Sequence, residues 1–396
     1  MFRNYLVTAL RNFARHKLYS FINIAGLTIG LTCAIFIILL LRDELSYDKW
    51  IAGTENLYRV EGTFSVPGQP TMMGTSATFP EPDAMVAQIP EVKAAVHLTR
   101  RKMTVTTGNR QFLDQIDIVS PNFFQIIQLP LIAGNRASLL AQSESAVITQ
   151  SMAKKYFGDT PALGKMLHVG PACESGPEPE LQGACVIRQA DVLVTGVVRD
   201  LPHNTQLNGD VFIPNTSSAD PMSPGEKHKW LDNNGYGYVV LAPGSDVPLV
   251  IKKMAALIDR SVDLEKLAGV KIQASKVMAP RLVAFRDVHL STDRYGGMTP
   301  GGSWTMVYGF AAIAVLILLV AVFNFTNLAT ARAMVRAREI SLRKVVGARR
   351  GQLVVQFLSE SVLISLISFA LALSLTELLL PVFDRVVGQP IALRYL

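Results

Sequence analysis

The sequence predicts a membrane protein in which α-helical transmembrane spans carry an inserted mixed α/β extracytoplasmic domain. Three observations predict it. Of 396 residues 49% are apolar and 17% charged, too greasy a balance for a soluble chain of that length. Long stretches without charge stand at Leu18 to Leu41 and around Trp304 to Phe325, with a third apolar run from Leu353 to Leu380. Between the first two lies a segment of 262 residues, 42–303, whose pattern alternates between strand and helix periods.

Residues 1–17 place Phe2, Tyr5, Leu6, Leu10 and Phe13 at helical spacing, with Arg3, Arg11 and Arg15 elsewhere on the wheel. This predicts a cytoplasmic amphipathic helix on membrane lipids, leading into the first span. Residues 18–41 form that span: 24 residues without a charge, which as a helix reach about 36 Å against a hydrocarbon core of roughly 30 Å. A cleaved signal peptide would have a shorter apolar core and a small-residue cleavage site. This run ends in Leu40-Leu41-Arg42-Asp43, so an uncleaved anchor is expected. Within it, Gly26 and Gly30 form a small-xxx-small motif that predicts close helix packing, between or within protomers.

In 42–303, Leu57 to Phe64, Val92 to Thr99, Phe112 to Val119, Val192 to Val198 and Tyr236 to Leu241 read as strands. Glu81 to Gln88, Pro121 to Ile127, Gln150 to Phe157 and Pro248 to Val262 read as helices. A mixed domain follows, in one or two lobes. Proline and glycine cluster at Gly170 to Gly183 and Pro214 to Gly225, which marks loops. Cys173 and Cys185 flank the first cluster. In an oxidising compartment they read as a structural disulfide closing a loop, with a redox pair and two reduced thiols as the other readings. Cys33, inside the first span, reads as a small apolar residue.

The second span is 304–328, opened by an interfacial Trp304, and the third is 353–380, with Glu360 and Glu377 near its two ends. The segment 329–352 between them holds seven basic residues against the single acid Glu339, and 1–17 holds four against none. Both belong in the cytoplasm by the positive-inside rule, which puts 42–303 and the tail 381–396 outside. Removing these 11 basic and 1 acidic residues from the totals of 38 and 31 leaves 27 basic against 30 acidic. The net +7 is therefore a membrane signal, and no nucleic-acid partner is expected.

Chemistry finds no foothold. The six histidines show no HxxxH or HExxH grouping and the three cysteines no CxxC pair. Gly158 to Met166 imitates a phosphate loop but has five residues between its glycines, where the motif has four, and methionine where a hydroxyl must reach Mg²⁺. No GxSxG elbow occurs. Neither a catalytic residue nor a cofactor or metal site is expected.

On a helix, 329–352 mixes a stripe of Met334, Ala337, Ile340, Val345 and Val346 with charges on its other faces and stops at Gly347. Charge alone admits a loop lying on anionic headgroups as well as a docking helix. The run RAREISLRKVVGA from Arg336 to Ala348, followed by QFLSES from Gln356 to Ser361, resembles the signature of FtsX/MacB-type ABC transporter permeases. The amino-terminal stretch through the first span, DELSYDKW at 43–50, NLYRV at 56–60 and KKYFGDTPALGKML at 154–167 are similar to the same family. The resemblance implies a permease subunit of the bacterial inner membrane, multi-pass and working as a homo- or heterodimer. It also implies a cytoplasmic ABC ATPase subunit as partner, contacted through Arg338, Glu339, Arg343, Lys344 and Gly347, and no hydrolysis by the permease itself. Halves of that family carry four spans and this chain carries three, which implies a half-length or truncated member. The rival reading is a membrane-anchored extracytoplasmic receptor or scaffold without ATP coupling.

Overall fold

A computed structural model describes residues 17–65, 71–75, 77–173, 185–186, 188–269, 271–291, 294–295, 297–335 and 350–388. The chain divides into two units, 1–45 with 304–396, and 46–303.

Among the described residues the first unit contains three helices long and apolar enough to cross a membrane: α1 (Lys17–Glu44), α8 (Trp304–Val335) and α9 (Arg350–Val387). α9 outruns the predicted third span at its carboxyl end, passing through Pro381 to Val387. A proline inside a helix removes one backbone bond and kinks the rod. Here the apolar residues beyond it keep the helix going where the sequence reading stopped it.

Among the described residues the second unit has fourteen strands: β1 (Leu57–Phe64), β2 (Met72–Gly74), β3 (Ala77–Thr78), β4 (Val92–Thr107), β5 (Arg110–Val119), β6 (Leu131–Gly134) and β7 (Ser145–Thr149), then β8 (Met166–Cys173), β9 (Cys185–Val186), β10 (Ala190–Val198), β11 (Val211–Pro214), β12 (Asn233–Leu241), β13 (Met278–Ala284) and β14 (Arg294–Tyr295). Helices α2 (Glu81–Gln88), α3 (Phe123–Ile126), α4 (Gln150–Phe157), α5 (Val247–Ser261), α6 (Leu264–Ala268) and α7 (Ala274–Val277) fall between them. The hydrogen-bonded order runs β14-β2-β1-β12-β4-β5-β11-β7-β10-β8-β9, and β4 also pairs with β8.

That last pairing closes β4, β5, β11, β7, β10 and β8 into a ring. Met103, Val105, Ile116, Ile148, Val169, Val192, Val211 and Ile213 alternate inward along these strands and pack as one buried cluster. The other end of β4 pairs with β12, from Val92 to Leu98. There Val92, Ala95 and Val239 pack with Met85 of α2 and with Val250, Met254 and Leu257 of α5. Two lobes thus share one strand of sixteen residues. The sequence reading ended this strand at Thr99 because Arg100, Arg101 and Lys102 interrupt its apolar alternation. The fold accommodates the charge with a buried partner: Arg100 donates from Nε and Nη2 to the two carboxylate oxygens of Asp117, at 2.6 and 2.8 Å. Asp117 is itself fully buried on the neighbouring β5, and bidentate pairing is the geometry in which such a charge is tolerated.

α2 starts at Glu81, whose side chain shares a small pocket with Phe64, Trp230, Ile258 and Met278. Burial pushes the carboxyl up to about 7, with a backbone bond from Thr78 opposing the shift. In the unfolded chain it returns to its ordinary 4.5. The folded state therefore holds the proton more tightly, so the stability it contributes is fully present below pH 4.5 and is lost as pH rises through 7. The whole loss is roughly 3 kcal/mol. Urea unfolding of the purified protein, followed by Trp230 fluorescence from pH 4 to 8, should show that slope, and Glu81→Gln should flatten it.

Candidate functional site: a helix seam and a buried polar hub

Gly26 and Gly30 lie where α1 meets α8. A Cβ built on Gly30 would stand 2.7 Å from the Cβ of Ala321, and one on Gly26 would stand 3.2 Å from Nδ2 of Asn324. Neighbours that descend on α8 as they climb on α1 make this pair antiparallel. Against α9 the register runs the other way: Thr28 Oγ1 donates to the carbonyl of Ser368, and Thr32 Oγ1 to that of Ala372, each at 3.4 Å. α1 and α9 are therefore parallel. The carboxyl end of α8 and the amino end of α9 consequently lie at the end of the bundle where Lys17 begins α1. In lipid, where apolar burial drives no helix together, small residues and cross-helix hydroxyl bonds of this kind hold a bundle.

The residues that join α8 to α9 include Arg338, Glu339, Arg343, Lys344 and Gly347, and they fall in 336–349, outside the described residues. So do 1–16 of the amphipathic helix and 389–396 of the tail. Glu360, on α9, is 7% exposed. Cys173 ends β8 and Cys185 begins β9, and the ladder sets the two directly opposite each other. Opposed residues of an antiparallel pair have Cα atoms about 4.5 to 5.5 Å apart, within the span a disulfide bridges.

A second constellation lies in the α/β unit, at the point where its chain begins. Asp48 is fully buried and adopts φ 58°, a left-handed conformation that aspartate tolerates better than most side chains. That turn aims its carboxylate inward. Oδ1 accepts from Thr205 Oγ1 at 2.6 Å and from the Gln206 backbone N–H at 3.0 Å, while Oδ2 accepts from Gln206 Nε2 at 3.1 Å. Burial raises the Asp48 carboxyl above its usual range, and these three bonds oppose that rise. The Gln206 amide passes the connection onward: Nε2 also donates to the Phe285 carbonyl, and Oε1 accepts from Tyr238 Oη at 3.2 Å and Arg59 Nη1 at 3.4 Å. Arg59 in turn pairs with Glu61 through Nε at 2.8 Å and Nη2 at 2.5 Å, both side chains buried.

The end of the unit is tied to the same place. The Tyr47 ring stacks on the His289 ring with centroids 3.3 Å apart and planes 5° from parallel. The Gly302 N–H donates to the His289 carbonyl at 2.8 Å. The sequence reading marked SYDKW and NLYRV but not their partners at 204–206 and 285–291. Thr-Gln and Phe-Arg-Asp-Val-His carry no spacing rule of their own, and only the fold brings them beside Asp48.

Three apolar helices interrupted by one large folded insertion define a membrane-embedded subunit, and among the described residues no group of three or more His, Cys, Asp or Glu could hold a metal ion. Residues 20–257 match the family model of the MacB-like periplasmic core domain, and 311–395 that of the FtsX-like permease C-terminal region. The chain belongs to the FtsX/MacB-type family of ABC transporter permeases.

Among its relatives, the macrolide export ATP-binding/permease protein MacB 1/2 of Paracoccus denitrificans is 24% identical over 370 residues, covering 91% of this chain and 48% of that protein. The uncharacterized ABC transporter permease YknZ of Bacillus subtilis is 22% identical over 373 residues, covering 91% of this chain and 81% of that one. The chain spans about half the length of the MacB relatives it matches. A solved structure, the periplasmic region of MacB from Actinobacillus actinomycetemcomitans, shares 14% identity over 62% of this chain and 95% of that one, at a TM-score of 0.38.

Two pairs of substitutions probe these constellations. Gly30→Ala should force α1 and α8 apart and destabilise the bundle by about 1–3 kcal/mol, read as resistance to unfolding in mixed detergent micelles. Gly309→Ala, at a site with nothing within 4 Å, should leave that resistance unchanged. Asp48→Ala strands the Thr205 and Gln206 donors in a buried site and should cost about 3 kcal/mol or more in urea unfolding of the α/β unit. Asp48→Asn, which keeps one acceptor oxygen and tolerates the left-handed turn, should cost less.

Proposed function

We propose that this chain is the permease subunit of an ABC transporter of a bacterial inner membrane, where it couples ATP hydrolysis by a separate cytoplasmic ATPase to export or to mechanical work on the far side. The observation that carries this reading is the family match over the span helices, together with the described end of α8 and start of α9 lying at one end of the bundle. Family membership makes the chain a permease, and the end of α8 lying at the same end of the bundle as the start of α9 supports reading the strongly basic sequence between them as cytoplasmic. A short helix there, ending at Gly347 and carrying Arg338, Glu339, Arg343 and Lys344, would take a push from the ATPase into the two spans it joins. The chain itself hydrolyses nothing in this scheme. It works as a dimer with a second permease half, identical or different, in a shell of lipid.

Gly347→Pro leaves charge untouched and disturbs the backbone where the helix should stop. We expect that variant to insert normally and to lose stimulation of ATP hydrolysis when reconstituted with its ATPase. Reversing Arg343 and Lys344 to glutamate should weaken ATPase binding in correctly inserted protein. If both leave binding and coupled hydrolysis unchanged, the anchored-receptor reading takes over.

Placed outside the cytoplasm, Cys173 and Cys185 would be joined by a disulfide worth about 3 kcal/mol on the chain-entropy estimate for a loop of this size. Non-reducing peptide mass spectrometry of protein from an oxidising envelope should recover the linked pair.

A further inference from the structure

A cavity of about 530 Å³ opens beside the hub, within the size range of small-molecule sites. Its polar wall is made by Arg59, Thr75, Gln206 and His289, all buried, and an apolar wall by Val288, Met298 and Pro300. Arg59 spends three of the five N–H donors of a guanidinium on Glu61 and Gln206. Its other donors remain for a ligand. Among the described residues lining the cavity Arg59 carries the one formal charge. Its counter-ion Glu61 is not part of the wall, and neither is Asp48.

We propose that this cavity binds a monocarboxylate with an apolar body, either a free small acid or the carboxyl terminus of a short peptide. The carboxylate meets Arg59, with the hydroxyl of Thr75 and the imidazole of His289 within the same wall, while the body lies against Val288, Met298 and Pro300. A dianion such as phosphate is disfavoured relative to a carboxylate: it brings one more negative charge to a wall that offers a single guanidinium, already shared with Glu61. Because Gly297 to Gly301 also line the cavity, an occupant touches the segment by which the chain leaves the α/β unit. This site stands independently of the coupling reading above.

Isothermal titration of the full chain in detergent tests it, with N-acetyl-leucine, N-acetyl-leucinamide, the tripeptide Ala-Ala-Leu, its carboxyl-terminal amide and inorganic phosphate as probes. Binding by at least one of the two acids is expected, at least tenfold tighter than its own amide and than phosphate. Preference for the tripeptide assigns the source as a peptide terminus; equal or weaker tripeptide binding assigns a small acid. Thr299→Trp, which fills the cavity, should abolish binding with the melting temperature unchanged. Should that variant melt lower, the double substitution Arg59→Gln with Glu61→Gln, which removes charge and counter-charge together, should do the same. Absence of binding by both acids, amides that bind as well as the acids, tighter binding of phosphate, or binding that survives both variants would overturn the proposal.

Discussion

The carboxylate of Asp48 is the constraint on which the start of the α/β unit depends. A charge with no access to water costs several kcal/mol unless hydrogen bonds replace its hydration, and Asp48 secures three from a single dipeptide, Thr205-Gln206. Meeting that demand fixes the chain at 204–206 and orients the Gln206 amide. Through the amide it fixes the approach of Arg59, Tyr238 and the Phe285 carbonyl. Segments from four separate parts of the sequence are thus held by one side chain, and the apolar cluster of Phe123, Phe124, Phe212, Tyr238 and Phe285 packs alongside. The network is polar throughout, so its value lies in specifying one arrangement more than in net stability.

The spans are held on different terms. α8 is apolar all round, as a helix facing lipid must be, and many of its large side chains are exposed. Contact with α1 comes from what is missing, the side chains of Gly26 and Gly30, and contact between α1 and α9 from threonine and serine hydroxyls reaching backbone carbonyls. Both devices are short in reach, so they hold the helices only at close approach.

Legibility in the sequence followed locality. β1, α2 and α4 are read to the residue because their periods are clean and their ends are marked by proline, glycine or a change of period. β4 was half read, since the charge run at 100–102 hides a strand whose compensation, Asp117, lies on another strand. The closing of the ring through β4 and β8 and the hub around Asp48 were not legible at all. Each depends on segments far apart in the chain, joined by residues such as Thr205, Gln206 and His289 that look like ordinary polar loop positions. The basic segment 336–349 is the reverse case, plain as a motif and outside the described residues.

The tie between the two ends of the α/β unit also changes the polymer physics of the membrane part. Tyr47 stacks on His289 and Gly302 bonds to the same residue, so residues 46–303 leave the sheet close to where they came in. To α1 and α8 this insertion acts as a turn of a few residues. A flexible connection of the same length would oppose their meeting by about 3 kcal/mol more than a ten-residue loop. An insertion already folded removes that entropy from the helix pair.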